Sequence, residues 1–115
     1  MTNADNKNIN DIIIRLRQDA ETENIRVTAH AHQEMFEDNF LFHHVMEALS
    51  DAVVLENYSE HKRGPCCLIC GKASHNRYIH IVCSTAQEAT IIITVYEPNL
   101  PKWKNPFKRS RHDEM

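Results

Sequence analysis

Residues 77–96, RYIHIVCSTAQEATIIITVY, constrain the fold more than any other stretch of the chain. Two β-rich runs, Tyr78–Ser84 and Thr90–Tyr96, flank a short polar turn and predict an antiparallel hairpin. Side chains at i and i+2 share a face of a strand. The odd positions Ile79, Ile81, Cys83, Ile91, Ile93 and Val95 are all apolar and predict the buried face. The even positions Tyr78, His80, Val82, Ile92, Thr94 and Tyr96 set a histidine among hydroxyl-bearing side chains. If the turn brings Val82 opposite Ile92, His80 pairs with Thr94 and Tyr78 with Tyr96. Burying an imidazole is costly unless its nitrogens find partners. With no further segment left to cover the even face, His80 is expected on the open side of the sheet.

Upstream, Ile9, Ile12, Ile13, Leu16 and Ala20 fall at helical spacing, with Arg15, Arg17, Asp19 and Glu21 outside the stripe. A helix over about 9–23 is expected. IRVT reads as a short strand and AHAHQEMFED as a helix, while Phe42, Val45, Met46 and Leu49 mark a further amphipathic helix. AVVLENY and PCCLICG supply two more strands. Four strands joined in succession by short turns predict an antiparallel meander from about residue 53 to 97. The expected class is therefore α+β, with N-terminal helices packed on one face of a four-stranded antiparallel sheet. A chain of 115 residues suits one domain over 1–115, with its core at about 9–98 and a basic tail at 99–115.

No apolar run approaches the ~20 residues needed to cross a bilayer. The polar opening MTNADNKNIN lacks the basic start and apolar stretch of a signal peptide. A cytoplasmic protein with reduced thiols and no membrane partner is expected. The net charge of −3 hides a division: residues 1–60 carry 4 basic and 12 acidic side chains, −8, and residues 61–115 carry 9 and 4, +5. Such asymmetry suits a polyanion meeting the C-terminal half, and a solvated mix of charges fits it as well.

Cys67-x-x-Cys70 followed by His80-x-x-Cys83 carries the ligand types of a zinc site. Strand geometry argues against it, because residues three apart on a strand point to opposite faces. Pairing the two strands through KASHNR sets Cys67 beside Cys83 on one face and Cys70 beside His80 on the other. No metal and no other cofactor is expected. His30 sits where a strand meets a helix N-terminus, a position that suits either capping or a cleft. In the tail, KWKNPFKRSR interleaves cations with Trp103 and Phe107. That pattern fits single-stranded nucleic acid, and it equally fits a tryptophan anchoring the tail to the domain.

VTAHAHQEM, RYIHIVC and IITVYEPNLPKW together resemble the bacterial family of domain of unknown function 4258. The likeness runs over residues 26–103 in one order. Thr28, His30, Ala31 and Met35 match a T-x-H-A-x-x-R-M start, with Glu34 in place of its basic residue. Asp38 and Asn39 stand where Arg-Gly is common. Gly64, Pro65, Cys67 and Leu68 match a G-P-x-C-L segment, and Tyr78 to Val82 a P-L-H-V-V segment. Thr94, Val95, Tyr96, Pro98 and Trp103 match the closing T-V-Y-x-P and W. The resemblance implies a toxin-like protein of the RelE and MqsR type, which cleaves RNA without metal, encoded beside a zinc-finger antitoxin.

Two functions follow as the main expectations, with a thiol or metal sensor using Cys66, Cys67 and Cys70 ranked below them. The first is a metal-independent endoribonuclease, a toxin of a toxin–antitoxin system. In it His80 serves as acid or base with His30 as partner, because histidine titrates near neutrality. Tyr96 donates to a phosphate oxygen, and Arg63, Arg77, Tyr78, Thr94 and Trp103 hold the RNA. The second is a non-catalytic protein- or RNA-binding module, a degenerate toxin, which accommodates the lost basic positions and the acidic N-terminal half. The partners expected are RNA and an antitoxin whose acidic segment lies over the basic side of the sheet. Whether His30, His80 and Tyr96 converge on one cleft discriminates the two.

Overall fold

The computed structural model describes residues 2–61 and 64–110, with side chains described from Ile9 onward. Helix α1 (Thr2–Thr22) leads into strand β1 (Ile25–Val27), then α2 (Ala29–Glu37) and α3 (Phe42–Ser50). Strands β2 (Val53–Tyr58), β3 (Cys66–Ala73), β4 (Arg77–Ser84) and β5 (Thr90–Tyr96) follow. A small hairpin, β6 (Trp103–Asn105) and β7 (Lys108–Arg109), closes the described chain.

The class is α+β, but the sheet is not the four-stranded antiparallel meander expected from the sequence. It has five strands in the order β1-β5-β4-β3-β2, and β1 joins β5 in parallel, Ile25 opposite Thr90 and Val27 opposite Ile92. The short run IRVT is thus the fifth strand of a mixed sheet. A parallel neighbour requires a long connection, and here α2, α3 and three strands lie between the partners. β6 and β7 form a second, two-stranded sheet.

β1 ends before β5 does, and α2 completes the exposed edge. Thr28 caps α2 by accepting from the Ala31 N–H at 3.1 Å, and its hydroxyl donates to the Ile93 carbonyl at 3.2 Å. The Val95 N–H donates to Glu34 Oε1 at 2.9 Å and the Glu97 N–H to Asp38 Oδ2 at 3.0 Å. Glu34 and Asp38 therefore serve as acceptors for backbone amides at this edge of the sheet.

The helices bury one face of the sheet. Leu16 and Ala20 of α1, Ala31 and Met35 of α2, and Val45, Ala48 and Leu49 of α3 form one core with Cys67, Ile69, Ala73, Ile79, Ile81, Cys83, Ile92 and Val95. Gly71 permits this approach, since a Cβ there would fall on the Ala48 carbonyl oxygen of α3. The C-terminal end of α1 is fixed to the β4–β5 loop by the buried Asp19. Asp19 accepts from Arg15 Nε at 2.6 Å and Thr90 Oγ1 at 2.7 Å, while Arg15 donates to the carbonyls of Thr85 and Gln87.

Strict alternation fails in β5, as it does between Val54 and Glu56 of β2. Val82 faces Thr94 but Cys83 faces Ile92, so Ile93 has no partner in β4. This bulge sets the residues of β5 that precede it on the faces opposite to those strict alternation gives. Ile92 is therefore fully buried in the core, while Ile91 and Ile93, expected there, are half-buried on the reverse face. The bulge also places His80 opposite Tyr96, and not Thr94 as alternation suggested. The β3–β4 register is the expected one, with Cys67 opposite Cys83 and Cys70 opposite His80.

Candidate functional site

His80 points away from the helices, as alternation requires, yet it is 0% exposed. The expectation of an open face is corrected by the tail, which folds back across it. Trp103 is buried, and its indole meets the imidazole edge to face with ring centres 4.3 Å apart. His80 Nε2 lies 2.6 Å from the Pro106 carbonyl oxygen and Nδ1 lies 3.0 Å from the Tyr96 hydroxyl. A carbonyl can only accept, so Nε2 carries the proton and Nδ1 accepts from the Tyr96 O–H. Every polar atom of the histidine is thereby satisfied without water, which removes the cost of burial raised by the sequence.

Burial holds the His80 pKa below its ordinary value, with the bond to Pro106 opposing, and burial pushes that of Tyr96 up. Both side chains are neutral at pH 7. Arg109 of β7 stacks over Trp103 at 4.6 Å and makes a two-pronged ion pair with Glu56 of β2, at 2.6 and 2.9 Å. Tyr58 donates to the same carboxylate. The tail is thus held at its centre by Trp103 and at its end by Arg109. A neutral imidazole with both nitrogens engaged has no position left for a substrate proton in this arrangement.

The other sequence-predicted site residues are dispersed. His30 lies exposed on α2, 3.3 Å from Glu34, and α2 packs on the opposite face of the sheet from His80. His30, His80 and Tyr96 do not converge on one cleft. Arg77 braces the α2–α3 turn: it donates to the Asp38 and Asn39 carbonyls, at 2.9 and 3.2 Å, and stacks on Phe40. Tyr78 meets Phe107 edge to face, and half-buried Thr94 faces Val82 across the ladder. Trp103 serves as the anchor and not as an exposed stacking platform. Arg63 lies outside the described residues.

An open apolar surface sits elsewhere. At the α2–α3 corner a groove of about 670 Å³ is lined by Met35, Phe36, Phe40, Leu41, Phe42 and His44, with His32 and Asn39 at its rim. Met35 and Phe40 form its buried floor, whereas Phe36 is 81% and Leu41 60% exposed. His44 contributes a polar wall: its Nδ1 accepts from the Leu41 N–H at 2.9 Å, and burial together with neighbouring His43 holds its pKa down. The groove escaped the sequence reading, though a signal existed. Phe36 falls outside the Ala31–Met35 stripe of α2, so an aromatic on the polar side of that helix was legible.

Among the described residues no cluster of three or more His, Cys, Asp or Glu side chains is arranged to hold a metal ion, and no helix is long and apolar enough to cross a membrane. Neither the curated proteins nor the solved structures gave a match to the chain. The family described as a domain of unknown function (DUF4258) matches residues 27–97. That span runs from the end of β1 through β5 and takes in the groove, the cysteine-bearing strands and His80, though not the tail that covers it. The chain belongs to the DUF4258 family.

Proposed function

We propose that this chain is a non-catalytic, toxin-like module that binds a partner protein through the α2–α3 groove. The observation that carries the reading is the groove's aromatic lining in the open, with Phe36 81% exposed. Exposed apolar patches of this kind mark protein-binding surfaces, and a helix or extended segment with apolar anchors fits a groove of that size. The groove belongs to the half of the chain that carries −8, which disfavours RNA there. An antitoxin of the expected kind would engage this corner directly. An acidic segment laid over the basic side of the sheet would first have to displace the tail.

The endoribonuclease reading rests on one favourable observation, the direct contact of His80 with Tyr96, and it requires the tail to lift. Both readings are separable in one experiment. Wild type, Phe36→Ser and Leu41→Ser are co-expressed with the adjacent gene product, tested for co-purification, and assayed for RNA cleavage. The interaction module predicts a partner lost from both variants, with fold and melting transition kept, and no cleavage by wild type. Retention of the partner by both variants would move the interface elsewhere. Cleavage reduced about 10²–10⁴-fold in His80→Ala would restore the enzyme.

A further inference from the structure

Cys67 and Cys83 face each other across the β3–β4 ladder, 2% and 0% exposed, with their sulfurs 3.9 Å apart. Both are free thiols. A directly opposed pair holds its Cβ atoms about 4.5–5.5 Å apart, and an approach of about 1 Å brings them into the ~3.5–4.5 Å range of a disulfide. A cavity of about 30 Å³, lined by Ile12, Asn57, Pro65, Cys66, Cys67 and Cys83, adjoins the pair. That volume exceeds the ~10–15 Å³ that one water needs and admits a small molecule of two oxygen atoms. The two sulfurs are not equivalent. The hydrogen bond from Cys83 holds the Cys67 thiol below its ordinary value, and the same bond, reinforced by burial, pushes that of Cys83 well up. The first attack on an oxidant is therefore assigned to Cys67, whose thiolate a Cys83 S–H 3.9 Å away would stabilise.

We propose that Cys67 and Cys83 form a peroxide-responsive thiol pair that closes to a cross-strand disulfide. The Cys67 sulfur attacks one oxygen of hydrogen peroxide and the O–O bond breaks. The departing hydroxide takes the Cys67 proton and leaves as water, so the sulfur becomes a sulfenic acid. The Cys83 sulfur then attacks the Cys67 sulfur, the S–O bond breaks, and the hydroxyl leaves with the Cys83 proton as a second water. One peroxide is reduced and two thiols are oxidised. The product ties β3 to β4 beneath α1. Bulky disulfides such as oxidised glutathione do not fit the cavity. Cys70 lies on the opposite face against His80, its thiol pushed up to about 11 by burial, and remains reduced.

The folded protein is treated with hydrogen peroxide or with oxidised glutathione, alkylated after denaturation, and mapped by tryptic mass spectrometry. Lys72 and Arg77 lie between the two cysteines, so trypsin separates them and a crosslink joins two peptides. Peroxide should yield that crosslink in wild type and in Cys66→Ser, reversed by dithiothreitol and absent from Cys67→Ser. Oxidised glutathione should leave it unformed. Cys67 and Cys83 both fully alkylated after peroxide would overturn the proposal, as would a crosslink that disappears in Cys66→Ser. Equal crosslinking by oxidised glutathione would remove peroxide as the selected oxidant.

Discussion

The two faces of the sheet are covered by different means. Three helices seal one face with aliphatic side chains, and the residues they bury, from Leu16 to Val95, form a single core. The other face is sealed by a short return of the chain, in which one tryptophan, one proline carbonyl and one arginine hold the cover in place. Burial on the helix side is non-directional and follows apolar area. On the tail side it depends on directional contacts, with Trp103 edge-on to His80 and His80 hydrogen-bonded to Tyr96 and to the Pro106 carbonyl. Such a cover is specific, and it is more readily undone, because losing one partner leaves another buried and unsatisfied.

The largest effects should come from breaking the division between the faces at the bulge. Ile92→Ala removes a fully buried core side chain and should cost about 3 kcal/mol in denaturant melts. The adjacent Ile93→Ala, half-buried on the tail side, should cost about 1 kcal/mol. The reverse order would mean that β5 keeps strict alternation and that the faces are assigned wrongly.

A smaller effect sharpens the contrast through pH. The folded pKa of His80 lies below the ordinary ~6.5 of the unfolded chain. Between those two values the unfolded state binds the proton and the folded state does not, so stability rises with pH across that window. The contribution is complete above pH ~6.5 and is lost as pH falls toward the folded value. His80→Gln should flatten this slope, with His44, shifted in the same direction, carrying the remainder. An unchanged slope in the variant would mean that His80 already meets water.

Much of this architecture was legible in local pattern. The stripe from Ile12 to Ala20 and the β3–β4 register that separates Cys67 and Cys83 from Cys70 and His80 follow from periods of 3.6 and 2, whereas the cap at Thr28, read as the end of a strand, was not foreseen. Three things were not. The bulge at Ile93 leaves no trace in a run of isoleucines, since every register of TIII looks alike. The parallel pairing of β1 with β5 joins residues about 65 apart, and only three residues signal it. The tail offered two readings, a nucleic-acid platform and a tryptophan anchor, and nothing in KWKNPFKRSR places the Trp103 anchor over His80. The site followed the same logic. His80 was correctly assigned to the face away from the helices, and its cover was missed because tail and sheet are distant in sequence.

The direct test of that cover uses Trp103, the one tryptophan of the chain. Its emission and its quenching by acrylamide are measured in the folded protein and in denaturant at pH 7. A tail sealed over His80 predicts blue-shifted emission and strong protection from acrylamide in the folded protein, both lost on unfolding and weakened in His80→Ala. Emission and quenching in the folded protein equal to those of the unfolded chain would contradict the account, and would leave His80 on an open sheet face.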